Sequence, residues 1–191
     1  MKVLGISTSP RVRGNTDILL SEALRGAKSQ GAKIEKIILK NLRVSPCLEC
    51  DRCFRKGECI IKDGMQTLYR KFLTADRIIF ASPIYFMAHC AQAKMVIDRC
   101  QALWARKHVL QKPLFEKKPH PPRKGLFISV GGRKGKKLFS GAKITMKYFF
   151  KVLEMKYDGD LLYEQIDEKG AILNHPTAMK EVFKAGQELA K

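Results

Sequence analysis

The sequence predicts an α/β domain with a mainly parallel sheet. Three observations point there: five short apolar runs with strand character, helical periodicity in the segments between them, and Ser/Pro/Gly-rich loops where the two patterns change over. At 191 residues and 45% hydrophobic composition the chain can bury one substantial core, so a single domain over 1–191 is expected.

The first strand is Val3-Leu4-Gly5-Ile6, inside Met1 to Ser7. A helix follows from about Thr16 to Ser29, where Leu20, Leu24 and Ala27 recur at helical spacing, Ile18 and Leu19 widen the stripe and Gly31 closes it. Lys33 to Leu39 carries Ile34 and Ile37-Ile38-Leu39 and reads as the second strand. The next connection, 40–62, is unusually long and carries four cysteines; connections of such length in compact domains usually carry function. From Asp63 an amphipathic helix presents Met65, Leu68, Tyr69, Phe72 and Leu73, ahead of a strand at Arg77 to Ala81. One helix is expected from about Cys90 to Trp104, supported by Ala93, Met95-Val96-Ile97 and Cys100. Prolines break regular structure over 112–123, and Gly125 to Val130 reads as a buried strand. Helix over 143–153, strand over 157–163 and a terminal helix over 177–189 complete the alternation.

The formal charge is +19, from 37 basic and 18 acidic residues. Basic residues concentrate between Arg106 and Lys137, in Lys117-Lys118, Arg123-Lys124, Arg133-Lys134 and Lys136-Lys137. Such a surface attracts anions, whether nucleic acid, an acidic redox protein or a phosphate-bearing cofactor; a solvated lysine face is the plain alternative. The N-terminal apolar stretch is too short for a signal peptide and no later run approaches a membrane span, so a cytoplasmic protein without membrane contact is expected. In a reducing compartment six cysteines serve as ligands, buried thiols or redox groups, with two disulfides among the clustered four as the alternative.

Ligands of doubly wound sheets collect beyond the carboxyl ends of the strands. Three loops occupy such positions. The first holds Ser9, Arg11, Arg13, Gly14, Asn15 and Thr16, whose hydroxyls, backbone N–H groups and helix N-terminus suit a phosphate. It lacks both the Walker and the Gly-x-Gly-x2-Gly spacing, and a turn with a helix cap is the competing account. The second is Ser82-Pro83-Ile84-Tyr85-Phe86-Met87, with flat rings able to border a planar ligand. The third is Gly131-Gly132-Arg133, where missing side chains let backbone approach.

The cysteines are spaced Cys47-x2-Cys50-x2-Cys53-x5-Cys59. Structural zinc holds sulfurs about 3.8 Å apart at Zn–S ~2.3 Å and commonly uses two separated Cys-x2-Cys knuckles. Three cysteines in successive steps of three are instead like a ferredoxin-type segment, so a [4Fe–4S] cluster is expected, with zinc and unmetallated thiols as rivals. Cys90 and Cys100 are expected to be packed thiols, and His89, His108, His120 and His175 have no ligand spacing. No catalytic acid or base is assigned.

Ser9-Pro10-Arg11-x2-Gly14-Asn15-Thr16, Ser82-Pro83-Ile84-Tyr85-Phe86 and Lys94-x3-Asp98-Arg99 resemble the NADPH-dependent FMN reductase group of the flavodoxin-like fold. With the four cysteines after the second strand, the resemblance narrows to its iron–sulfur flavoprotein branch and covers almost the whole chain. It implies a five-stranded sheet in the order 2-1-3-4-5. It also implies FMN, with its phosphate on Ser9, Arg11, Asn15 and Thr16 and its ring along Pro83 to Phe86, Gly131 and Gly132. A homo-oligomer, dimer or tetramer, with the cluster facing a neighbouring flavin, and electron exchange with a ferredoxin-like carrier or NAD(P)H follow from the same resemblance. Met87 stands where a small residue is usual, and Gly64 replaces an acidic residue. A quinone-type reductase with zinc or idle cysteines is the alternative; a nucleic-acid-binding module is the third reading, and no recognition motif accompanies the charge to support it.

Overall fold

The computed structural model describes residues 1–117 and 119–191. In chain order it forms β1 (Lys2–Ser7), α1 (Asn15–Ser29), β2 (Lys33–Ile38), α2 (Arg52–Lys56), α3 (Met65–Thr74), β3 (Arg77–Tyr85), β4 (Ala88–His89), α4 (Ala91–Arg99), α5 (Gln101–His108), β5 (Lys124–Val130), α6 (Ser140–Val152), β6 (Lys156–Tyr163) and α7 (Ala178–Leu189). The sheet runs β2-β1-β3-β5-β6, all parallel, which is the expected order for the five long strands. Chain direction across the sheet reverses between β1 and β3, and the crevice beyond their carboxyl ends is the switch point of this topology.

Period-two alternation divides the core into two layers. Leu4, Ile6, Ile78, Phe80 and Phe127 face α3 to α6, while Val3, Ile79, Leu126 and Ile128 face α1 and α7. Helices α1 and α7 cross so closely that a Cβ on Gly26 would lie 2.0 Å from the Phe183 carbonyl oxygen, and one on Gly186 would lie 1.9 Å from that of Ala23. Glycine is required at that crossing by steric contact.

Three elements differ from the sequence expectation. Strand β3 continues through Ser82 and Pro83, paired with Ser129 and Val130, although Ser-Pro reads as a loop. It then turns back antiparallel into β4, pairing Ile84 with His89 and Tyr85 with Ala88. The turn residues Phe86 and Met87 both have positive φ, 49° and 63°, where hairpins normally use Asn and Gly. The single helix expected over 90–104 is two helices, because the backbone tightens at Cys100, whose N–H is shared between the carbonyls of Val96 and Ile97. The cysteine segment also contains α2, too short to leave a periodic signal.

The basic run is only partly a surface. Arg123 is buried, donating to the carbonyls of Ala75, Leu153 and Phe72, and Lys124 pairs with Asp158. Lys118 lies outside the described residues. Among the described residues no helix is long and apolar enough to cross a membrane.

Candidate functional site

The phosphate-loop candidate leaves β1 at Thr8, whose N–H and Oγ1 both donate to the Ala81 carbonyl at 3.0 Å and fix the loop to β3. Gly14 precedes α1; a side chain there would meet the Arg11 carbonyl oxygen at 2.9 Å. Thr16 lies in the first turn of α1, and its Oγ1 is buried with no hydrogen-bond partner among the described residues. An orphaned hydroxyl beside a helix N-terminus is costly in an empty protein and is matched by an anionic acceptor or donor-seeking oxygen. The residues therefore fit a phosphate.

The side chains of the loop divide into two groups. Ser9 Oγ accepts the Arg11 N–H at 3.1 Å and stays beside the turn. Arg11 Nη1 donates to the Asp167 carbonyl at 2.8 Å, and Arg13 is exposed at φ 53°. Asn15 faces away from any phosphate duty of its side chain: Nδ2 donates to Glu168 O at 2.8 Å and Oδ1 accepts the N–H groups of Gly170 and Ile172. It staples the loop after β6 to the start of α1, leaving its backbone at the helix N-terminus. Sequence motifs alone could not reveal that partner, which lies about 155 positions away.

In the second loop Ser82 and Pro83 are buried within β3. The Ser82 hydroxyl donates to Pro83 O at 3.1 Å, and Ile84 is half-buried. Tyr85, Phe86 and Met87 project at the hairpin tip, Phe86 wholly exposed. The strained positive-φ pair holds these side chains out from the sheet edge. In the third loop the Gly131 N–H is taken by Tyr163 O at 2.9 Å, so that amide is committed to the sheet. Gly132 sits against Asp167, and Arg133 receives Gln165 N–H at its carbonyl. The segment from 131 to 153 contains seven basic residues and no acidic one. Lys136, Lys143 and Lys147 line a groove of about 570 Å³ at the start of α6.

All six cysteines are free thiols, which removes the disulfide alternative. Cys90 and Cys100 are buried as expected. Cys90 Sγ lies 3.3 Å from both Thr8 Oγ1 and Thr8 O, beneath the switch point. Cys47, Cys50, Cys53 and Cys59 line one cavity of about 950 Å³ against α4, α5 and α6, with Arg99 and Cys100 in its wall. The Cys53 thiol is pushed up first by burial and then by the neighbouring Cys47, Cys59 and Cys50, so the four share one electrostatic environment. Yet no three Cys, His, Asp or Glu side chains among the described residues converge as the ligands of one metal ion would.

Both ends of this segment are tied by one ion pair, which sequence reasoning left unassigned. Arg99 and Asp63 are buried and bidentate, with Nη1 to Oδ2 at 2.9 Å and Nη2 to Oδ1 at 3.2 Å. The guanidinium, with hydrogen bonds from Ser45 and Met65 N–H groups, holds the Asp63 carboxyl below the usual range against the opposing effect of burial. A Cβ on Gly64 would lie 2.8 Å from the Arg43 carbonyl oxygen, so the chain passes close to that carbonyl at the start of α3.

A family model described as NADPH-dependent FMN reductase matches residues 1–156. An iron–sulfur flavoprotein of Methanocaldococcus jannaschii is 34% identical over 159 residues, covering 81% of this chain and 73% of its own. The chain belongs to the iron–sulfur flavoprotein branch of this family. A second M. jannaschii iron–sulfur flavoprotein is 43% identical over 103 residues, covering 54% of this chain and 53% of the relative, so the chain spans about half that relative's length. An Archaeoglobus fulgidus iron–sulfur flavoprotein is 38% identical over 130 residues, 68% of this chain and 62% of its own. Among solved structures, a flavone reductase superposes over 100% of this chain and 62% of its own at TM-score 0.71 and 23% identity. An NAD(P)H:quinone oxidoreductase from Methanothermobacter marburgensis does so over 100% and 95% at 0.69 and 13% identity. These two similarities establish the flavodoxin-like fold.

Proposed function

We propose that this protein is an FMN-dependent oxidoreductase that passes electrons between flavin and a [4Fe–4S] cluster held by Cys47, Cys50, Cys53 and Cys59. The observation that carries the reading is the convergence of four free thiols, Cys47, Cys50, Cys53 and Cys59, on one cavity against α4, α5 and α6. A zinc site draws its sulfurs to about 3.8 Å, whereas a cubane is larger and accepts thiols spread around a cavity.

The chain's own residues have distinct parts. The N-terminus of α1, the Ser9 hydroxyl and Thr16 Oγ1 bind phosphate; the hairpin tip at Tyr85 to Met87 and the backbone at Gly132 border the ring. Arg11 and Asn15 hold the loop after β6 against that site. When bound, FMN exchanges two electrons with a hydride donor such as NAD(P)H and single electrons with a cluster, so the protein needs no side-chain acid or base. Support for a homo-oligomer comes from exposed apolar side chains on neighbouring elements, namely Phe86, Met87, Ile144, Tyr148, Leu48 and Ile60. The acid-free cationic segment over 131–153 supports an acidic ferredoxin-like carrier.

The test is metal, sulfide and flavin analysis of wild type and two cysteine variants. Wild type is expected to hold four irons and four sulfides per chain beside one FMN; Cys53→Ser loses iron and keeps flavin, and Cys100→Ser keeps both. Zinc in a yellow protein, or equal iron loss in both variants, would overturn the assignment.

A further inference from the structure

We infer that the buried Asp63–Arg99 pair is the positioning device of the thiol cavity, closing the cysteine segment into a preformed receptacle and setting a fixed positive charge in its wall. The geometry is specific to the segment's two ends. Arg99 Nη1 donates to Ser45 O at 2.8 Å and Nη2 to Ile61 O at 3.1 Å, in addition to the bidentate contact with Asp63. Asp63 in turn accepts the N–H of Ser45 at 2.8 Å and that of Met65 at 3.0 Å. The chain on either side of the four cysteines is therefore gripped by one guanidinium–carboxylate unit. That unit is anchored from α3, since the Tyr69 hydroxyl donates to Arg99 O at 2.6 Å.

The charge has its own significance. Arg99 is 1% exposed, lines the cavity beside Cys59, and keeps a buried Nε–H with no acceptor among the described residues. Replacing a buried ion pair with apolar residues is often neutral or stabilising, so this pair is poorly explained as a simple contribution to stability. Four thiolates gathered in one cavity repel one another, and because Arg99 lines that cavity while its partner Asp63 does not, they meet the positive end of the ion pair, which offsets part of that repulsion. The same cation favours the more negative, reduced state of whatever the thiolates hold.

The electrostatic half of this inference rests on the cluster reading; the closure of the segment does not. The test uses Asp63→Asn, Arg99→Gln and Arg99→Lys in the full chain. On metal-free protein, tryptic cleavage at Arg52, Arg55 and Lys56 should rise at least about tenfold in all three, because each loses the two-pronged grip. On reconstituted protein the two charge changes should act in opposite directions. Arg99→Gln removes the cation and lowers the cluster potential by about 59 mV, a tenfold change in the one-electron equilibrium. Asp63→Asn removes an anion and leaves the potential level or higher, and Arg99→Lys keeps it near wild type. A purely structural role would move the Gln and Asn variants the same way, and that result would overturn the electrostatic role. Wild-type cleavage rates in all variants would overturn the clamp. Should the single variants not fold, Asp63→Leu with Arg99→Met removes both charges together, and its cleavage rate decides the clamp in the same way. A wild-type protein that holds no iron, with cleavage still accelerated in the variants, would sink the cluster reading and support the clamp.

Discussion

Thr16→Val offers a test in which two effects of opposite sign come from one oxygen atom. Thr16 is 1% exposed, and its hydroxyl has no partner among the described residues. Valine keeps the shape and branching and removes only the hydroxyl. In flavin-free protein the change relieves an unsatisfied buried polar group, worth about 1–3 kcal/mol. For a chain of this size each kcal/mol moves Tm by about 2–4 °C, so the variant should melt higher by at least about 2 °C. On the phosphate role proposed for Thr16, the same change with flavin present deletes a hydrogen bond to a charged group, worth about 1.5–3 kcal/mol. At about 1.4 kcal/mol per tenfold, FMN affinity should fall by roughly 10- to 150-fold. Differential scanning calorimetry of flavin-free protein and a fluorescence-quenching titration with FMN measure the two halves. A lower Tm with unchanged affinity would refute the reasoning and make Thr16 an ordinary helix residue.

Gly186→Ala should lower Tm by more than about 4 °C, because the new Cβ would sit 1.9 Å from the Ala23 carbonyl oxygen and force α1 and α7 apart; an unchanged melting curve would contradict that contact. His89 is buried, with Nε2 3.0 Å from Ala142 O, and burial pushes its pKa down to about 4, below the ~6.5 of an unfolded chain. Its stabilising contribution is therefore complete above about pH 6.5 and is lost as pH falls toward about 4, a change on the order of 3 kcal/mol. His89→Gln should flatten that part of the profile in urea unfolding, and parallel profiles would refute the assignment. Lys136→Glu with Lys137→Glu should slow reduction by an acidic carrier about tenfold at low salt and reduce its salt dependence; stopped-flow rates identical to wild type would remove this surface from docking.

Much of the fold was legible because it rests on local pattern. Alternating apolar positions in Val3-Leu4-Gly5-Ile6 and Ile78-Ile79-Phe80 feed two opposite layers, and helical spacing in 16–29 and 65–73 turns one face inward. The three errors of outline have different causes. Ser82-Pro83 looks like a loop, yet pairing with β5 carries β3 onward; the break at Cys100 is a local tightening of the backbone, and the five residues of α2 are too few to leave a periodic signal. At the candidate site, Thr16 and the four cysteines stand out by type and spacing. Asn15 stands out as well, as a phosphate contact, but the partner that claims its side chain is hidden from the sequence because that loop lies far along the chain.

The four-cysteine spacing and the loops after three strands were determined by sequence, since residue type and interval already limit which chemistry a short segment can support. Tertiary structure alone decided which polar groups remain available. It committed Asn15, Arg123 and the Gly131 amide to internal hydrogen bonds, left Thr16 Oγ1 without one among the described residues, and brought Arg99 onto Asp63 across the neck of the cysteine segment. The reason is physical: a hydrogen bond or buried charge is settled by its partner, and these partners are separated by tens of residues and meet only when the chain is packed.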